Sequence, residues 1–315
     1  MITATIIEKA FFKREHLFCS HDTNAFRIFN SLGDGKEGLI IDYYNGFILI
    51  QLYDSSLYHE SVKIADYCKA ILKNMSITLE GILLKDRTKV NDPQRIADIR
   101  KSSLVLGSMP PVPFAVKQNN CLAYVDIIHG QNTGLFLDMR SVRKRLSDYY
   151  KNGGKLCNLF CYTGLFSVHA LKSGLNSAVN VDISRTVLNK AKQNYELNEI
   201  QYDSRDFVKA DSKDFLRLAL KKKLQISFII FDPPTFSRNR SESFSVKKHY
   251  KHYISLIEQV LINGYVLTTI NAVSISEDDY ITMHPHHWKM EFLEHEPDDF
   301  PYKKQPYLKV GLWRI

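Results

Sequence analysis

Residues 155–236 read KLCNLFCYTGLFSVHALKSGLNSAVNVDISRTVLNKAKQNYELNEIQYDSRDFVKADSKDFLRLALKKKLQISFIIFDPPTF, and this stretch decides the fold. Short apolar runs (KLCNLFC, SAVNVD, DFVKA, ISFIIFD) alternate with amphipathic ones: a helix ending before Gly174, then SRTVLNKAKQNYELNE, then SKDFLRLALKKK. Strands separated by helices need crossover connections, which lay parallel strands side by side beneath helices on both faces. Farther on, the pattern predicts a helix over roughly Val246 to Asn263 ended by Gly264. YVLTTI, KMEFLEHE and YLKVGLWR follow, the last two pairing as an antiparallel edge.

Upstream the pattern changes. Residues 1–22 read as a short strand and a polar connection. AFRIFN, GLIIDYY and GFILIQLY then form β-hairpins around a turn at Gly33 to Gly35, followed by a helix from His59 to Asn74 and the strand EGILLK. Breakers crowd residues 91–120, with Asp92-Pro93, Gly107, Pro110, Pro111, Pro113 and Asn119-Asn120, and set a boundary near 115–128. The expected division is a short N-terminal segment (1–22), a small α+β domain (23–125) and a Rossmann-like domain (126–315).

Composition excludes several classes. A chain of 315 residues, 44% hydrophobic and 24% charged, is too apolar for disorder and long enough to bury a core without disulfides. Five cysteines, an odd number without a CxxC pair, argue against a disulfide framework and a thiolate zinc site. No apolar run is long enough to span a membrane, and the first residues lack a signal-peptide pattern, so a cytoplasmic protein is expected. His284, His286 and His287 are read as a surface loop, and no metal is expected.

The net charge is +8, and the excess is local. Residues 140–251 hold 22 Lys and Arg against 10 Asp and Glu, whereas 272–302 hold 8 acids and one Lys. Arg140, Arg143 to Arg145, Lys221 to Lys223, Arg238, Arg240, Lys247, Lys248 and Lys251 suggest a phosphate-tracking surface. His249, Tyr250, His252 and Tyr253 stand among them as candidates for base stacking.

Doubly wound sheets bind ligands at the carboxyl ends of their strands. The first strand here runs into Asn158-Leu159-Phe160-Cys161-Tyr162-Thr163-Gly164, whose single glycine does not make the GxGxxG that seats a pyrophosphate. Asp182 ends the second strand, 18 residues after Gly164, where an acid accepts hydrogen bonds from ribose hydroxyls. Asp211-Ser212 ends the third and offers a carboxylate and an amide to an adenine. Asp232-Pro233-Pro234-Thr235-Phe236 ends the fourth. The set implies an adenosine without phosphates.

HGQNTGLFLDMR (129–140), NLFCYTGLFSVHA (158–170), VDISR (181–185) and DPPTFS (232–237) together resemble the class I S-adenosylmethionine-dependent methyltransferases. The closer resemblance is to the bacterial 23S rRNA large-subunit methyltransferase family. AFRIFNSLGDGKEGLIIDYY (25–44) looks like the small α+β domain preceding the catalytic domain there. The resemblance implies a doubly wound methyltransferase sheet with an antiparallel C-terminal edge strand, S-adenosyl-L-methionine as cofactor, and ribosomal RNA as partner for a monomer or homodimer. It makes Thr133, Phe136, Asp138 and Arg140 a strip over the cofactor, and Phe160, Tyr162 and Gly164 the loop around its methionine part, with Asn158 in place of the usual acid. Asp182, with Ile183 beside it, becomes the ribose ligand and Asp211 and Ser212 the adenine ligands. Asp232 to Phe236 form the wall between donor and target base. About 24 residues precede the α+β domain, too few for the PUA module of many relatives, so target selection is expected to differ.

The acceptor atom constrains the catalytic set. Cytosine C5 attacks only after a thiolate has added at C6. In cytosine-C5 relatives that cysteine occupies positions matched here by Asn271 or Thr235, so this chemistry is disfavoured. Guanine N7 carries an in-plane lone pair and needs no such help. The strings GLFLDMR, DPPTFS and YVLTTIN most resemble the guanine-N7 branch, with Asp232, Pro233, Pro234, Phe236 and Asn271 as the catalytic group. Amino-group methylation ranks behind it. A noncatalytic RNA-binding assembly factor and a methyltransferase for small molecules or proteins are the competing classes.

Overall fold

The structure, a computed structural model, describes residues 2–88, 101–234, 236–238 and 243–315, the side chains of 236–238 and 243–248 excepted. It falls into two compact units, one reaching Arg140 and including Pro297–Lys304, the other comprising Ser141–Glu296 and Gln305–Ile315.

The first unit is built on a five-stranded sheet in the order β1 (Ala25–Asn30), β2 (Leu39–Tyr44), β3 (Phe47–Leu52), β4 (Gly81–Asp86), β5 (Ser103–Gly107). Pairing is antiparallel except between β3 and β4, because α2 (Ser61–Asn74) carries the chain across between them. Alternation along the strands turns Phe26, Ile28, Ile41, Ile48, Ile50, Ile82 and Leu84 into one apolar core. The same core takes Ile7, Ala10 and Phe11 from α1 (Ala4–Lys13) and Ile64, Cys68 and Ile71 from α2. The expected N-terminal strand is therefore a helix. ATII suggests β-structure locally, but the spacing of Ile7, Ala10 and Phe11 matches a helical face that finds an apolar sheet to cover.

On the opposite sheet face Asp42 accepts from Arg27 Nε (2.8 Å) and Gln51 Nε2 (2.7 Å). Arg14 and Asp34, each about 1% exposed, form a two-pronged pair at 2.8 and 2.7 Å. Pro297–Lys304 is tied here through Asp299, which accepts from Arg27 N (3.0 Å), and through Pro301 O, which accepts from Asn30 Nδ2 (2.9 Å).

This unit extends beyond residue 125, where the division was expected. The hairpin β6 (Phe114–Gln118) and β7 (Cys121–Val125) continues into Asp126, whose amide bonds Thr133 O (2.9 Å), and Asn119 Nδ2 bonds Arg140 O (2.8 Å). Of the breaker-rich stretch, residues 91–100, with Asp92-Pro93, lie outside the described residues.

The second unit carries a seven-stranded sheet. In order it runs β10 (Phe207–Lys209), β9 (Ser177–Asp182), β8 (Lys155–Leu159), β11 (Phe228–Phe231), β14 (Tyr265–Asn271), β16 (Leu308–Arg314), β15 (Lys289–Glu294). The first five are parallel; β16 is antiparallel to β14 and β15 to β16, as the sequence predicts. β12 (Phe236–Arg238) and β13 (Ser243–Ser245) form a separate two-stranded ribbon. Helices α4 (Leu165–Lys172), α5 (Arg185–Leu197), α6 (Ser212–Lys221) and α7 (Val246–Val260) make the crossovers, and α8 (Glu277–Thr282) follows β14. α3 (Arg140–Leu146) begins at the last residue of the first unit. From β8 the chain first builds outward through β9 and β10, then returns to place β11 on the other side. Strand order reverses between β8 and β11, and a crevice opens at such a switch point, outside the carboxyl ends of the strands.

Two expectations fail here. In α7, Tyr250 (1% exposed) and Tyr253 (5%) lie on the buried stripe with Ile254 and Ile257, so these rings are core and are not available for stacking on bases. His284 is buried rather than on a surface loop; only His286 and His287 are exposed.

Candidate active site

Five strand ends converge at the carboxyl edge of the second sheet. β8 enters a loop in which Phe160 (φ 54°), Tyr162 (φ 49°) and Gly164 (φ 75°) all adopt left-handed backbone. Two non-glycine residues in that region carry strain that clusters at functional loops. Gly164 is needed for a second reason, since a Cβ there would meet Ala191 Cβ at 3.0 Å. Asn194 Nδ2 holds the loop through Thr163 O (2.9 Å).

The loop amides are largely committed. Cys161 N donates to Val181 O (3.0 Å), Tyr162 N to the Asp182 carboxylate (3.2 Å) and Gly164 N to Cys161 O (2.9 Å). A pyrophosphate would need such amides for its own oxygens, so the loop suits a ligand that presents none.

Asp182, the last residue of β9, accepts from Tyr162 N and Ser184 N (2.9 Å), and it is Ser184 that caps α5. Burial pushes its carboxyl above the ordinary aspartate value, opposed by the amides of Ser184, Tyr162 and Ile183. Ile183, 45% exposed, presents an apolar face beside it. Asp211 caps α6 through Lys213 N (2.9 Å), with Ser212 buried behind it. A half-buried carboxylate, an exposed aliphatic side chain and a second carboxylate one strand along are a set of hydrogen-bond acceptors and apolar surface that fits a nucleoside.

β11 delivers Asp232, which is half-buried, then Pro233, buried, and Pro234, exposed. Thr269 Oγ1, from β14, donates a hydrogen bond to Asp232 Oδ1. Asn271 ends β14 with its side chain exposed. Thr235 and the side chain of Phe236 lie outside the described residues.

Among the described residues of this wall none is a cysteine. Cys157 is wholly buried in β8, and Cys161, 6% exposed, contacts Tyr162 O at 3.6 Å; burial pushes both thiols well up. Cys68 and Cys121 are buried in the first unit, where the exposed Cys19 also lies. Asn158, expected at the cofactor, is 1% exposed and bonds Ser167 (2.9 Å), which in turn bonds Asn180 (2.7 Å).

Thr133, Phe136, Asp138 and Arg140 belong to the first unit. Phe136 is 42% exposed, Asp138 half-buried, and Thr133 is within 3.3 Å of Tyr44. Arg140 is held by Asp299 (2.7 Å) and Asp298 (2.9 Å). Nearby charges explain part of the acid-rich stretch 272–302, for Glu294 pairs likewise with Arg145 (2.7 Å). Among the basic runs Arg143 is buried over Phe166, whereas Lys221 to Lys223 are exposed.

Residues 36–307 match the family described as S-adenosylmethionine-dependent methyltransferase. The chain belongs to this family. It is 35% identical over 269 residues to a Bacillus subtilis (strain 168) protein provisionally named ribosomal RNA large subunit methyltransferase YwbD, covering 84% of this chain and 65% of that one. Ribosomal RNA large subunit methyltransferase I of Yersinia pestis bv. Antiqua (strain Angola) is 30% identical over 256 residues, covering 81% and 63%. The chain thus spans less than two thirds of the length of these relatives. A crystal structure of SMU.776, provisionally a methyltransferase, complexed with SAH matches with a TM-score of 0.85 at 28% identity, covering 100% of this chain and 82% of that one. Membership in the family agrees with carboxylates at the ends of β9 and β10 and with loop amides already committed to the protein's own acceptors.

Sequence reasoning missed Thr269 and a buried hub around its neighbour. Thr268 Oγ1 lies 2.6 Å from Tyr280 Oη, 2.9 Å from His284 Nε2 and 2.9 Å from Trp313 Nε1. His284 Nδ1 is 2.9 Å from Tyr280 O, a carbonyl that only accepts, so Nδ1 carries the proton and Nε2 is the acceptor. Burial holds this imidazole neutral, its pKa lowered to about 4. The available signal was the adjacent pair Thr268-Thr269 inside an otherwise apolar strand.

Proposed function

We propose that this chain transfers a methyl group from S-adenosylmethionine to a base of large-subunit ribosomal RNA, with guanine N7 as the acceptor. When bound, the cofactor supplies a methyl group already activated on a sulfonium. Asp182 holds the ribose hydroxyls, Asp211 and the Ser212 amide read the adenine, and the 160–164 loop encloses the methionine part. What remains for the protein is orientation and exclusion of water, an effect worth up to ~7–11 kcal/mol.

The observation that carries the acceptor reading is the strand end of β14, where Asn271 stands exposed two residues after Thr269, the partner of Asp232, and the residue at that end is not a cysteine. A carboxamide offers both a donor and an acceptor to a guanine edge but cannot add to a pyrimidine ring. The names of the relatives support ribosomal RNA, and the exposed Lys221 to Lys223 suit its phosphates. The first unit, with the small α+β fold, would then select the RNA, in a cytoplasmic setting. A second reading, amino-group methylation, is favoured by Asp232, whose carboxylate can accept an amine N–H.

The experiment is incubation of the purified chain with tritiated S-adenosylmethionine and in vitro transcribed 23S or 16S ribosomal RNA. Label in 23S alone is expected; label in neither, with cofactor bound, would remove the RNA reading.

A further inference from the structure

A buried lysine stands directly behind the acceptor strand end. Asn271 pairs in register with Leu308, the first residue of β16, and the chain then turns at Ala272. Ala272 N donates to Tyr307 O (2.9 Å), and Gln305 Nε2 donates to Val273 O (2.8 Å). Lys309 Nζ donates to Ala272 O and to Pro306 O, both at 3.0 Å. These bonds fix the peptide planes on both sides of Ala272, and with them the direction in which Asn271 leaves its strand.

Lys309 is 2% exposed and lies between Leu308 and Val310, both fully buried. Taking an ammonium out of water is costly, and an apolar side chain would fill the same space in β16 more cheaply. The ammonium has three donors, two of which go to backbone carbonyls, one on the segment leaving β14 and one on the segment entering β16. Glu296, whose carboxylate accepts from Tyr307 N (2.8 Å), and Glu277 are the acids that favour its charge; burial pulls its pKa below the ordinary lysine value.

We propose that Lys309 is a positioning residue for methyl transfer, its ammonium stapling the carbonyls of Ala272 and Pro306 and so holding Asn271 at the acceptor end of β14. The inference rests on the reading of Asn271 as the acceptor-side residue. It adds a residue that touches neither donor nor base.

The test compares Lys309→Met, Lys309→Gln, Asn271→Ala and the double variant Lys309→Met with Asn271→Ala, using tritiated S-adenosylmethionine and 23S transcript. Methionine keeps the bulk of the side chain and loses every donor; glutamine retains a donor should Lys309→Met fold poorly. Expected is a kcat about 10- to 100-fold lower in Lys309→Met, the scale of a misplaced reacting geometry, with a milder loss in Lys309→Gln. Cofactor affinity by titration calorimetry should not change in either. The double variant should be no slower than Asn271→Ala, and amide exchange from Ala272 to Ile275 should speed up in Lys309→Met but not in Asn271→Ala. If Asn271→Ala is slow and Lys309→Met either keeps the wild-type rate or lowers the rate of Asn271→Ala by its full factor, the positioning role is overturned. A wild-type rate in Asn271→Ala would instead overturn the reading of Asn271 on which it rests.

Discussion

Replacing Asp182 with alanine should remove cofactor binding while leaving the fold intact. An ionised carboxylate has about four acceptor sites. Two are taken by the amides of Tyr162 (3.2 Å) and Ser184 (2.9 Å), and the Ile183 amide also acts on the carboxylate, leaving at most about two for the hydroxyls of a ribose. A hydrogen bond to a charged group contributes ~1.5–3 kcal/mol, so losing both costs ~3–6 kcal/mol, or ~10²- to 10⁴-fold in Kd. Asp182→Asn keeps one acceptor oxygen and should fall between, ~10- to 100-fold weaker. Titration calorimetry with S-adenosylmethionine measures both, and circular dichroism confirms that the sheet survives. The carboxyl's raised pKa adds a sign: the ionised form is the one that accepts both hydroxyls, so affinity in the native protein should weaken on acidification earlier than an ordinary aspartate would dictate. Alanine binding within about threefold of wild type, where ~10²-fold or more is expected, would refute the ribose assignment.

Thr269→Val, which removes the donor to Asp232, should lower kcat with little change in cofactor affinity, and Thr269→Ser should restore most of it; a valine variant at full rate would contradict this. Gly164→Ala should weaken cofactor binding, because φ 75° is strained for any side chain and the new Cβ meets Ala191 at 3.0 Å, measured again by calorimetry. His284 gives a pH signature. Its folded pKa of about 4 lies below the unfolded 6.5, so its contribution is present above pH 6.5 and is lost as pH falls toward 4, on the order of 3 kcal/mol in total. Urea unfolding across that window should show a shallower pH dependence in His284→Gln than in wild type.

The parallel sheet was legible because β8, β9 and β11 are short apolar runs divided by helical stretches, the pattern of crossover connections. Asp182, Asp211 and Asp232 were legible as the polar residues that end such runs. The N-terminal helix was not, since Ile6 and Ile7 favour strands locally and only contact with a sheet made elsewhere in the chain selects the helix. Tyr250 and Tyr253 misled because basic residues flank them in sequence, while the two rings share a buried stripe with Ile254 and Ile257. His284 looked exposed beside Pro285, His286 and His287; its burial depends on Thr268 and Trp313, brought to it by pairing of β14 with β16. Lys309 shows no motif at all, because one of its two acceptors, Ala272 O, becomes its neighbour only when β16 pairs with β14.

The most direct test of the whole account is nucleoside mass spectrometry of 23S transcript methylated by the purified chain. A gain of 7-methylguanosine is the predicted result. A gain of 5-methylcytidine would contradict it, because that product requires a thiolate at a position held here by Asn271 or Thr235.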